Sequence, residues 1–172
     1  LFGVRLTPKV GVAWREHNEL MVGADLYQDF GDKRFLSDAK LQLYYAYRAP
    51  RVALYAGILP RSAMRGLHSP LLFDPSYNYY NNSIGGVLAR YESLDSPSYV
   101  EFAMDYTGMR TFDTREAFAI MSSGKHAFGV ADGWISYGYD LYVGHYAKDD
   151  DPDTYDGVVD NMMLTPYVEY ES

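Results

Sequence analysis

The 172-residue chain contains no cysteine, so neither a disulfide framework nor a thiolate metal centre can form. Positive charge is scarce: 15 Lys and Arg stand against 23 Asp and Glu, for a net charge of -8. A nucleic-acid partner demands clustered cations to neutralise phosphates, and that balance argues against one. Long apolar runs are also missing. No stretch of about 18 residues is apolar and free of charge, which excludes a transmembrane helix. No basic segment followed by an apolar one and a small-residue cleavage site is readable at the start. Catalytic signatures are lacking too, with no H-E-x-x-H, no G-x-S-x-G and no phosphate-cradling glycine loop. His17, His68, His126 and His145 show no metal-type spacing, and Ser122-Ser123-Gly124 has no identifiable base beside it. The expectation is a protein that is not an enzyme and uses no cofactor and no metal.

What is plentiful is tyrosine, 18 residues against 2 Trp and 8 Phe, within a chain that is 48% hydrophobic. Such a composition is too apolar for disorder. Tyrosine, with an apolar body and a polar tip, suits strands and boundaries between water and apolar matter.

The organising signal is a period of two. Phe2, Val4, Leu6, Pro8, Val10, Val12 and Trp14 alternate with Gly3, Arg5, Thr7, Lys9, Gly11, Ala13 and Arg15. A helix would scatter these side chains around its circumference, whereas a strand places them on two faces. His17-Asn18 is the expected hairpin turn. The next run sets Leu20, Val22, Ala24, Leu26 and Phe30 against Glu19, Met21, Gly23, Asp25, Tyr27 and Asp29. Ala39 to Tyr47 and Val52 to Ile58 repeat the pattern on either side of Ala49-Pro50. Further runs cover 85–92 and 99–107, then 115–126 with a turn near Ala131-Asp132-Gly133, then 135–144 and 161–170. No helix of convincing length appears. The predicted fold is an all-β antiparallel up-and-down meander of about nine strands, forming part of a transmembrane β-barrel.

Three features favour a membrane barrel over a soluble sandwich. The runs are about 9–14 residues long, near the roughly 9–11 a tilted strand needs to cross a bilayer. The apolar stripes carry almost no charge in mid-strand, and a charge there would cost about 2–4 kcal/mol against lipid. Trp14, Phe30, Tyr45, Tyr47, Tyr91, Tyr106 and Tyr170 sit near strand ends, as interfacial girdles do. Connections also alternate between short and long, as turns and outer loops do in outer-membrane barrels. An odd strand number and ends that fall within strands suggest a fragment of a larger barrel, truncated at both ends. The chain reads as one segment, 1–172. It holds a long extracellular or constriction loop at 60–82 and an acidic extracellular loop at 148–160.

DAKLQLYYAYRAPRVALYAG (38–57), with the following ILPRSAMRG, resembles the strand pair and Pro-containing strand exit of Gram-negative phosphate-selective-type porins. NYYNNSIGGVLARYES and SYVEFAMDYTGM resemble the paired strands of Bacteroidota outer-membrane porin-like proteins. The likeness covers 38–146. It implies an outer-membrane channel for passive diffusion of small hydrophilic solutes, embedded in the lipid bilayer, with homo-oligomers allowed. The arginine ladder of phosphate selectivity does not carry over, because acidic residues share the inner stripes. The lumen-lining candidates are Arg5, Lys9, Arg15, Asp25, Asp29, Lys40, Arg48, Arg51, Glu101, Asp105 and Asp140. Cross-strand ion pairs holding the wall are the plainer account of the same charges. Arg61, Arg65, Tyr77, Tyr79 and Tyr80 are constriction-loop candidates, in a loop that also holds His68, Phe73 and Asp74. The acidic run 149–161 departs from the EF-hand pattern at Tyr155 and reads as a solvated surface loop. The alternative to a porin is a soluble all-β carbohydrate-binding or surface module with tyrosines as sugar platforms.

Overall fold

The computed structural model describes residues 2–66, 75–109, 115–147 and 157–172. His68, Phe73, Asp74 and most of the acidic run (148–156) lie outside the described residues. The strands are β1 (Gly3–Leu6), β2 (Lys9–Trp14), β3 (Asn18–Asp29), β4 (Asp38–Arg48), β5 (Val52–Pro60), β6 (Ser83–Glu92), β7 (Tyr99–Gly108), β8 (Ala117–Val130), β9 (Gly133–Tyr146) and β10 (Val159–Glu171). All belong to one antiparallel sheet in which β3 to β10 pair in sequence order and β1 and β2 both pair with β3. The meander is therefore the observed topology, in an open sheet compatible with a barrel.

β1 and β2 form a single run in one register, since Leu6 faces Leu26 and Lys9 faces Gly23. The interruption falls at Thr7-Pro8, where proline has no N–H to donate. Its carbonyl still accepts from the Ala24 amide at 3.1 Å. The first turn is not His17-Asn18. Trp14 pairs with Asn18, which leaves Arg15 to His17 as the turn, with Arg15 at φ 50 and Glu16 at φ 64. Local preference for Asn in a turn lost to the register of two long apolar stripes. The eighth strand runs past His126 to Val130, and only Ala131-Asp132 separates it from β9. Short connections at 15–17, 49–51, 93–98 and 131–132 alternate with long ones at 30–37, 61–82, 109–116 and 147–158.

The two faces of the sheet are inverted relative to a water-soluble protein. Asp25, Gln42 and Ser136 are 0% exposed and Glu101 and Ser123 are 1%, whereas Val12 is 68% exposed, Leu41 57% and Met162 76%. Water cannot favour an outer surface of this kind, but a bilayer can, because its hydrocarbon matches the side chains. This arrangement opposes the soluble-module alternative. Tyr44, Ala46, Tyr55, Leu59, Ile84, Leu88, Ala103 and Met121 form the inner apolar cluster, reached by Met21 from β3 and Tyr142 from β9. A single sheet packs residues from β3 and β9 together only by curling, so the buried face is concave.

The connection after β5 turns into this concavity. A 3-10 turn (Arg61–Ala63) and a short helix α1 (Pro75–Tyr80) lie within it. Ala63, Met64 and Tyr77 pack on the inner cluster. Tyr80 donates its hydroxyl to Asp29 at 3.1 Å, and Lys40 donates to the Tyr80 carbonyl. Arg5 stacks 4.9 Å above the Tyr79 ring. At the start of the connection, Arg61 pairs with Asp105 at 2.9 Å and also donates to the Asn81 carbonyl at 2.9 Å. The described parts of the connection, 61–66 and 75–82, thus meet the inner side from β1 to β7.

Candidate functional site

Inner-face polar residues come first, because sequence reasoning placed its candidates there. Asp25 is fully buried and receives Arg5 through two bonds, at 2.7 and 2.9 Å. Glu101 accepts from Arg90 at 3.1 Å and from the backbone amides of Arg65 and Gly66. Asp105 receives Arg61 and the Gly85 amide. Asp29 and Lys40 meet α1 as described above. Asp140 faces Ser123 across β8 and β9, and Ser123 faces Glu101 across β7 and β8. Ser123 Oγ and Asp140 Oδ1 are buried without a hydrogen-bond partner. The backbone of Gly66 closes over Ser123, and no histidine faces it from β7 or β9.

The remaining candidates lie elsewhere. Arg15 is in the first turn, exposed, and not on a strand. Lys9 shares the inner-face register but is exposed at the sheet edge. Arg48 sits at the short-turn end of β4 and pairs with Glu19 at 2.8 Å. Arg51, in the next turn, is exposed and reaches the Tyr91 hydroxyl at 3.4 Å. Arg65 pairs with Glu92 at 2.8 Å and stacks 4.9 Å above Tyr99. Tyr77 packs under Arg61 at 5.6 Å, and burial raises its phenol above the ordinary range. Burial, reinforced by the hydrogen bond to Asp29, raises Tyr80 likewise.

The outward face carries a group that sequence reasoning missed. Tyr106, Phe118, His145 and Asp160 stand side by side on β7, β8, β9 and β10, at the end of the long connections. Their strand neighbours Asp105, Ala119 and Gly144 are buried on the inner face, so pleat alternation turns these four outward. His145 Nδ1 lies 2.6 Å from Asp160 Oδ1. The imidazole stacks on Phe118 with ring centres 4.7 Å apart. With Asp160 ionised, the proton belongs on Nδ1 and Nε2 is left as an acceptor. A histidine oriented by a carboxylate at one ring nitrogen is a general-base arrangement when the other nitrogen accepts. His145 had looked solitary because its partner follows a 12-residue connection, 147–158, and only strand register brings the two together. No group of three or more His, Asp or Glu among the described residues is placed to hold a metal ion.

A protein-family model described as lipid A 3'-O-deacylase-type matches residues 1–143. The chain belongs to the lipid A 3'-O-deacylase-type family. No curated protein and no solved structure matches it. Membership overturns the passive-diffusion reading: a lipid A 3'-O-deacylase family is a family of enzymes, not of channels, so the non-enzymatic expectation falls with it. Porin, channel and transport drop out, while the outer-membrane location stands and the antiparallel all-β sheet is compatible with a barrel. The partner implied is a membrane lipid, in place of small hydrophilic solutes. The error has a physical source. Alternation and clean stripes report the solvent on each side of a strand, and a barrel enzyme and a porin meet the same solvents. His145 and Asp160 both lie beyond the matched stretch, which ends at Val143.

Proposed function

We propose that the chain forms the wall of an outer-membrane ester hydrolase that removes an acyl chain from lipid A, with His145 as base and Asp160 orienting it. Membership of the family supports the reaction class. The observation that carries the site is the 2.6 Å His145–Asp160 contact on the outward face. Long connections face the cell exterior in barrels of this type, so the pair stands at the outer leaflet. Acyl esters of a membrane lipid lie at the border between hydrocarbon and head groups, where an outward side chain near a strand end meets them. On the inner side, Ala63, Met64 and Tyr77 pack against the apolar cluster instead.

The chemistry balances with water alone. A water molecule held by Nε2 gives up a proton as its oxygen bonds to the ester carbonyl carbon. The tetrahedral intermediate then breaks the bond to the sugar oxygen, and the imidazolium returns the proton to it. The products are a fatty acid and an alcohol. Asp160 holds Nδ1–H and stabilises the imidazolium while it exists. General-base catalysis contributes about 10²–10⁴-fold. His145→Ala is therefore expected to lower release of fatty acid from lipid A by about that factor, with a smaller loss for Asp160→Asn. Mass spectrometry of the lipid product is the readout, with β-sheet circular dichroism as the folding control. Undiminished hydrolysis by folded His145→Ala would remove His145 from the mechanism.

A further inference from the structure

The outward face carries a second feature, midway along β8 and β9 and beside the short 93–98 turn. Gly124 has no side chain, and Tyr139 on the neighbouring strand lies across it. A Cβ at Gly124 would stand 2.7 Å from that ring. The phenol is held flat by its hydroxyl, which donates to Ser122 Oγ at 3.1 Å, while Ser122 donates to the Glu101 carbonyl at 2.9 Å. Tyr91, Val100, His126 and Tyr137 surround the flattened ring and enclose with it a groove of about 520 Å³. That volume is within the range of pockets that bury small ligands, roughly 300–1,000 Å³.

The groove is amphipathic along its length. Apolar wall lies over Val100, Gly124 and Tyr139, and polar groups collect at the turn end, where Ser93 and Ser98 line it beside His126. Short connections face the periplasm, so the groove opens into the periplasmic leaflet, away from the leaflet that His145 faces. It is continuous with the apolar outer surface, so an occupant enters from the bilayer and not from water. An occupant must then offer a hydrocarbon chain to the wall and hydrogen-bonding oxygens to the hydroxyls and imidazole. We propose that this groove binds one phospholipid molecule of the periplasmic leaflet. An acyl chain lies along Val100, Gly124 and Tyr139, and the head group sits beside Ser93, Ser98 and His126. This goes beyond the hydrolase reading and does not depend on it, because Gly124 and Tyr139 lie six residues along β8 and β9 from Phe118 and His145.

The test uses the full chain in detergent, exchanged free of native lipid and then offered dioleoylphosphatidylethanolamine, with native mass spectrometry as readout. One lipid retained per chain is expected. Val100→Trp fills the groove and Tyr137→Ala removes a wall without adding bulk, so each is expected to lower the retained fraction about tenfold. Leu54→Trp, on the outward face of β5 and away from the groove, is expected to retain it. Lipid A hydrolysis by Val100→Trp should match the parent, which separates this site from the one at His145. No retained lipid in the parent chain overturns the proposal. So does equal retention in folded Tyr137→Ala, or displacement of the phospholipid by lipid A.

Discussion

Gly57 has φ 121, a conformation L side chains rarely adopt, and a Cβ there would lie 2.3 Å from the Leu43 carbonyl oxygen. Gly57→Ala is expected to destabilise the barrel by about 1–3 kcal/mol, read as a lower urea midpoint for vesicle-inserted protein. Asp32 illustrates a polar residue governed by its nearest neighbour. Its carboxyl accepts from the Arg34 side chain and amide, which hold it well below the ordinary carboxylate range. A carboxyl lowered on folding contributes above its unfolded pKa and loses that contribution as pH falls through the folded one. An NMR titration should find Asp32 still ionised where other aspartates have protonated, and Arg34→Ala should raise it only part of the way to the ordinary range, because the backbone amide bond remains. Both residues are legible only in part from sequence. Gly57 was visible as part of a strand exit, but its backbone angle depends on how β5 lies against β4.

At the scale of elements, the strands were readable and the connection between β5 and β6 was not. A strand announces itself locally, because alternation places each residue on a face whatever its partner is. The connection's path depends on partners far away in sequence. Arg61 and Asp105 meet at 2.9 Å with both side chains under 10% exposed. Removing one member of a buried pair strands the other charge, at a cost of about 3–5 kcal/mol. Asp105→Asn is therefore expected to loosen the 61–66 turn and lower stability by about that amount, with increased protease cleavage after Arg61 or Arg65 as a local readout. The first turn shows the same dependence in miniature. Asn18 was a reasonable turn residue by type, yet the pairing of β2 with β3 made it the first residue of a strand.

For the whole molecule, the decisive property is that charge is inside and hydrocarbon outside. Leu43 is central in β4, outward and 45% exposed. Leu43→Arg is expected to cost about 2–4 kcal/mol in a bilayer and much less in a detergent that adapts around the charge. Parallel unfolding measurements in vesicles and micelles check this. Sequence by itself determined the all-β class, the strand order and which stripe faces lipid. Those follow from a two-residue period and from the cost of charge in hydrocarbon, and both act residue by residue. Tertiary structure decided which inner charges pair, where 61–66 and 75–82 lie, and that His145 meets Asp160. Each of those is a contact between residues distant in the chain, set by register and by the curl of the sheet. No local pattern of residue types contains that information.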